Sequence, residues 1–237
     1  LMSIYDNNGH SFIISGSSYL NTLYYYNKQI AYYQSINEAS HQKEISEGKH
    51  VYLTNRIKHL HDKRNKIISY ILHASTRMIV DYSLANNISK VIIGDIKGID
   101  NKLTNQKGKN KKEFNQKLHF LPFDKLYNLL NYKLRKEGIT LIKQDEAFTS
   151  SCSPDSINVS KECADKTNRI YRGLYKSGND IYNADSLGAF NILRKYYQEN
   201  NINRKLTYKC LSSPKKISIS VTSSPHKEEV GVLGRNY

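Results

Sequence analysis

The sequence predicts a mixed α/β layer fold, and three features of its pattern carry that expectation. The run Val91-Ile92-Ile93 ends at Gly94-Asp95 and reads as a buried parallel strand. Helical stretches lie on both sides of it. A second short strand, Ile139 to Ile142, follows one of those helices.

Residues 1–15 read as two short strands around Asp6-Asn7-Asn8-Gly9, because Asn-Gly is a strong hairpin signal; Ser11 to Ile14 forms the second strand. Tyr19 to Ile36 is helical, with Leu20, Leu23, Tyr24, Asn27, Ile30 and Tyr33 spaced for one face. The polar stretch 37–50, with Gly48, is expected as a loop. A long helix follows, about Val51 to Asn86, apolar at Ile57, Leu60, Ile67, Ile71, Met78, Ile79 and Tyr82. Its polar face carries Arg56, Lys58, Lys63, Arg64, Lys66 and Arg77. A stripe nearly all of one sign is either a solvated face or a phosphate-contacting surface. Lys102 to Lys117 reads as a basic loop. Pro122 opens a helix with a core face at Phe123, Leu126, Leu129, Leu130 and Leu134, and Gly138 ends it. Residues 148–182 are rich in Ser, Asn, Asp and Gly and read as an insert. Asn183 to Tyr197 is the last helix, and the Ser/Lys-rich chain from 201 to 237 is expected to be disordered.

Net charge is +15, from 36 Lys+Arg against 21 Asp+Glu, which points to a polyanionic partner. Nucleic acid is the first candidate and an anionic membrane surface the second. Abundant Lys, Asn, Ile and Tyr also fit an AT-rich coding genome. No apolar run approaches the ~20 residues of a membrane span, and Leu1 to Ile4 shows no signal-peptide pattern. The cysteines (Cys152, Cys163, Cys210) are odd in number and scattered, which argues for a reducing, cytoplasmic setting and against a disulfide scaffold. Neither a membrane nor a small-molecule substrate is expected as a partner.

Ligands of α/β folds gather at the carboxyl ends of central strands. Asp95, Asp145-Glu146 and Asp185 fall at such places. Carboxylates converging there would hold Mg²⁺ or Mn²⁺, hard cations that take oxygen ligands, and two such ions can clamp both oxygens of a phosphodiester. Each residue also has a plainer reading: Asp95 as a turn residue, Glu146 as a surface charge, Asp185 as a helix cap.

Several blocks, in order, resemble the OrfB/TnpB family of insertion-sequence-encoded proteins related to type V CRISPR effectors. Tyr182-Asn183-Ala184-Asp185 through Gly188-Ala189-Phe190-Asn191-Ile192 to Arg194 resembles its NADxxGAxNI block. Phe148 to Ser153 resembles YTSxCS, and Arg172-Gly173-Leu174-Tyr175-Lys176 resembles RGLFK. Leu130 to Lys133 with Gly138-Ile139 matches the L-x-YK…GI join. Lys63-Arg64-Asn65 through His73-Ala74-Ser75 matches the KRN…HKAS helix. Val91 to Ile99 matches the strand of a Gly-Asp branch, and Tyr25 to Lys28 matches YYNK. The resemblance implies an RNase H-like, RuvC-like mixed sheet flanked by helices, cutting DNA with divalent metal under a guide RNA, in the cytoplasm at the nucleoid.

In the family the third carboxylate is the Asp of the NAD block, here Asp185. The second is usually a Glu where this chain has Gly94; in the Gly-Asp branch a compensating Glu precedes the YTS element, and Glu146 fits it. Glu146 and Asp185 are therefore the expected catalytic and metal-binding residues, with Asp95 second choice for Glu146. The first carboxylate is expected to be absent together with its strand, since Asp6 reads as a turn residue. The chain thus reads as a C-terminal fragment, inactive by itself.

The expected organisation is a nuclease domain at 1–147 and 183–200, an inserted nucleic-acid-binding segment at 148–182, and the tail. The insert keeps only two of the cysteines of the family's zinc ribbon, so zinc is not expected. Expected nucleic-acid contacts are Arg56, Lys58, Lys63, Arg64, Lys66, Arg172 and Lys176, with base stacking on Tyr171 and Tyr175. The competing readings are a non-enzymatic nucleic-acid-binding remnant and a product without function.

Overall fold

The computed structural model describes residues 1–95, 122–171 and 173–221. It is a mixed α/β structure of small sheets and helices, and it divides into two compact units. Among the described residues, the first comprises Leu1, 14–75 and 217–221; the second comprises 2–13, 76–95, 122–171 and 173–216. The expected basic loop at 102–117, Arg172 and the last part of the tail lie outside the described residues.

In the first unit, helix α1 (Ser17–Ser40) and the first part of α3 (Asn55–Ala85) share an apolar seam. Tyr26 and Ile30 of α1 are buried with Ile57 and Leu60 of α3, and Tyr33 and Ile67 pack at the margin. These positions recur every three or four residues, so each helix presents one face to the other. Helix α1 runs four residues past the expected end at Ile36, and a short helix α2 (Gln42–Ser46) takes up much of the expected loop.

In the second unit, strands β1 (Met2–Tyr5) and β2 (Ser11–Ile14) form the expected hairpin. Its turn needs Gly9 at φ 89°, a left-handed conformation that side chains disfavour. The parallel pair β3 (Lys90–Asp95) and β4 (Thr140–Asp145) is joined through helix α4 (Phe123–Lys136), whose Leu126, Leu130 and Leu134 are buried. Strands β5 (Leu174–Ser177) and β6 (Asp180–Asn183) form an antiparallel hairpin leading into helix α5 (Ala184–Glu199). Helix α5 packs against β1 and against both β3 and β4, although these strands lie in two separate sheets. Its Leu187 and Phe190 form a core with Tyr175, Tyr182, Ala184 and Leu211. Tyr5 of β1 meets Phe190 edge-on, with ring centroids 5.0 Å apart.

Two expectations are corrected. Residues 201–221 are not patternless: Lys209–Leu211 forms a 3₁₀ turn, and β7 (Lys215–Ile217) joins the first sheet in the order β1-β2-β7. Leu211 and Ile219 are buried there, so a few apolar residues anchor a segment whose average composition is polar. The insert contains the β5–β6 hairpin, and Tyr175 is 0% exposed with its hydroxyl donating to the Ser151 carbonyl at 3.2 Å. Tyr175 is a core residue, so no base stacks on it; Tyr171 is exposed.

Candidate functional site

The parallel register places Asp95 opposite Asp145, so β3 and β4 end together and Glu146 follows directly. A Cβ at Gly94 would collide with the Glu146 side chain, the carboxyl first and the Cγ methylene next at 2.5 Å. The Glu146 side chain therefore occupies the space that a side chain at 94 would fill. Desolvation there, and next the charges of Asp145 and Asp95, push the Glu146 carboxyl above the usual range, although the residue as a whole keeps solvent contact. Asp145 is held by Lys195 of α5 at 2.5 Å, and the same ammonium donates to the Ala147 carbonyl at 3.3 Å. Lys195 thus grips the chain on both sides of Glu146.

Asp185 lies exposed in the first turn of α5. It is not the cap: the Asn183 side chain accepts from the amides of Asp185 and Ser186, both at 3.0 Å. A carboxylate in this turn is favoured by the helix dipole. Among the described residues no group of three or more His, Cys, Asp or Glu stands ready to hold a metal.

Asp6 is consumed by its own turn. It is buried and accepts from the Asn8 amide at 3.0 Å, the His10 amide at 2.8 Å and the Tyr82 hydroxyl at 2.6 Å. Burial pushes its carboxyl up, but the bonds from Tyr82 and His10 outweigh that and hold it below the usual carboxylate range.

The sequence blocks meet through bonds that residue types alone did not reveal. Arg64 donates to Asn27 of α1 at 2.6 Å and so ties the two helices together. Arg56, Lys58, Lys63 and Lys66 remain exposed on α3, as does Lys176 on β5. Lys133 donates to Thr76 at 2.8 Å. Buried Asn191 donates to the carbonyls of Thr149 and Cys152, both at 2.8 Å, and accepts from Arg194 at 2.9 Å. Arg194 also reaches the Ser153 carbonyl at 2.9 Å. The signal for this pair was the i, i+3 spacing of Asn191 and Arg194 on one helix face. Nothing in the sequence singled out Lys195.

Residues 1–100 match the family model described as a probable transposase, OrfB of IS605. Residues 123–192 match the Cas12f1-like TNB domain. Among solved structures, the chain is similar to a chain of the cryo-EM structure of the Cas12f1–sgRNA–target DNA complex, with 20% identity and a TM-score of 0.46. The match covers 73% of this chain and 41% of that one, so this chain spans about two fifths of that relative's length. No curated protein matches.

Proposed function

The chain belongs to the OrfB/TnpB family of probable transposases, and from that premise we propose that it carries the RuvC-like portion of a transposon-associated, RNA-guided DNA endonuclease. The observation that carries this reading is the Glu146 carboxyl filling the space above Gly94, beside Asp95, at the shared end of two parallel strands. The donors there are carboxylate oxygens, which suit a hard divalent cation. Mg²⁺ or Mn²⁺ would be held by Glu146 and Asp185, with Asp95 the alternative to Glu146, and would supply charge stabilisation at a phosphodiester. Lys195 neutralises Asp145, so that Glu146 keeps its place. Target DNA and a guide RNA are the partners, for which the charge of +15 supplies the non-specific attraction.

The finer fold is RNase H-like. Supporting this, one helix, α5, packs against β1, β3 and β4. Asp6 is committed to its turn and does not serve as a further catalytic carboxylate. On this reading the 237 residues bind nucleic acid and do not cleave alone. A non-enzymatic binding remnant is the second reading, favoured by the lack of a ready acidic trio among the described residues.

The test is incubation of the 237-residue chain with single-stranded DNA and Mn²⁺, alongside binding across a salt series. The expected result is salt-sensitive binding without cleavage. Cleavage abolished by Asp6→Ala would overturn the assignment of the first carboxylate, and absence of binding at low salt would remove the nucleic-acid reading.

A further inference from the structure

Glu146 is tied through its backbone as well as placed by its side chain. Its carbonyl accepts from the Thr149 amide at 3.2 Å and from the Thr149 hydroxyl at 2.9 Å. Thr149 is 4% exposed, so water is a poor replacement for those bonds. The Thr149 carbonyl in turn accepts from Asn191 of α5, and the same amide nitrogen donates to the Cys152 carbonyl, both at 2.8 Å. Between Glu146 and Thr149, Phe148 stands at φ 69°, a left-handed conformation that a bulky residue keeps only where its surroundings impose it. The Phe148 carbonyl is taken by the amides of Ser151 and Cys152, at 3.0 and 3.1 Å. An unbroken run of hydrogen bonds thus leads from the backbone of Glu146 through Thr149 to Asn191. The helix that ends this run carries Asp185 in its first turn.

We propose that Thr149 and Asn191 are positioning residues for the divalent cation site: Thr149 fixes the backbone of Glu146, and Asn191 fixes Thr149 to the helix that bears Asp185. The proposal rests on the cation reading above and adds to it what holds the ligands. The Glu146 carboxyl occupies the space above Gly94 because the turn after β4 delivers its backbone there. A turn freed from Thr149 would carry that carboxyl out of place. Groups that orient a metal ligand without touching the metal typically change its affinity by roughly 10–100-fold when replaced.

The test is Mn²⁺ titration of the full chain by electron paramagnetic resonance, with circular dichroism to confirm folding. Thr149→Val keeps the shape and the amide but loses the hydroxyl bond, and should weaken Mn²⁺ binding roughly tenfold. Thr149→Ser restores a hydroxyl and should bind as the parent does. Asn191→Leu, assayed well below its melting temperature, should also weaken binding at least as much as Thr149→Val. A merely structural role would lower the melting temperatures and leave the affinity of the folded chains unchanged.

Parent-like Mn²⁺ binding by folded Thr149→Val or by folded Asn191→Leu overturns the positioning role of that residue. If Glu146→Ala still abolishes binding, the cation reading stands regardless. Binding by Thr149→Ser as weak as that of Thr149→Val overturns the role of the hydroxyl. No Mn²⁺ binding by the parent, or none lost in Glu146→Ala, defeats the underlying reading itself.

Discussion

Replacing Asn191 by leucine, nearly its equal in shape, should uncouple two distant stretches of the chain. Asn191 is 0% exposed; its amide donates to the Thr149 and Cys152 carbonyls and its oxygen accepts from Arg194. Two neutral bonds contribute about 1 kcal/mol each and the bond to a charged partner about 2 kcal/mol. The carbonyls and the guanidinium stay behind without their partner, so the loss should be about 4 kcal/mol. For a chain of this length each kcal/mol moves the melting temperature by roughly 2–4 °C, giving a fall of about 12 °C. The local signature is sharper. Cys152 is buried, and releasing its loop should open the thiol to a disulfide reagent in a Cys163→Ser/Cys210→Ser background. A melting temperature within about 3 °C of the parent, with Cys152 still protected, would refute the idea that Asn191 anchors this loop.

Asp6 makes stability depend on acid. Its folded pKa lies below the ordinary value, so its contribution is fully present above the usual aspartate range and is lost as pH falls through the folded value. Urea midpoints of Asp6→Asn should therefore be lower at neutral pH and flatter with acidification than those of the parent; parallel curves would contradict this. Arg64→Met should cost about 1 kcal/mol of thermal stability through the lost Asn27 bond without changing the salt slope of nucleic-acid binding, whereas Lys63→Gln should lower that slope by about one with little effect on stability. Lys195→Met should cost about 1 kcal/mol by removing the bonds from Lys195 to Asp145 and the Ala147 carbonyl, and thermal melts of Lys195→Met against Lys195→Arg would show whether the charge or only the bulk matters.

Much of the element order was legible because it rests on local pattern. The Asn-Gly turn with its two strands, the buried Val91-Ile92-Ile93 run and the amphipathic helix after Pro122 each show a periodicity or a turn residue. The β5–β6 hairpin was missed because four-residue strands in a Ser/Asn-rich stretch leave almost no alternation to count. The strand at Lys215–Ile217 was missed for a different reason: it forms only because β2 offers an edge, which is a long-range fact. At the candidate site, the sequence pointed to Glu146 by its place after a strand and, through the resemblance, by the glycine at 94 and the element beginning at Phe148; the complementary fit of Glu146 to Gly94 is a matter of register between strands. Arg64 looked like every other cation of its helix; its direction depends on Asn27, 37 residues away. Tyr175 likewise looked like an exposed ring until the core around Leu187 enclosed it.

The central claim is that the Glu146 carboxyl stands where a side chain at 94 would stand and there serves a divalent cation. The most direct measurement is Mn²⁺ titration by electron paramagnetic resonance of the parent, of Glu146→Ala, and of Gly94→Glu/Glu146→Ala. Removing the Glu146 side chain clears the space above Gly94, so a glutamate at 94 can enter it from the neighbouring strand. Binding should be weak in the parent, lost in Glu146→Ala, and recovered in the double variant. A folded double variant that binds no better than Glu146→Ala, or a Glu146→Ala protein that binds as the parent does, would contradict the claim.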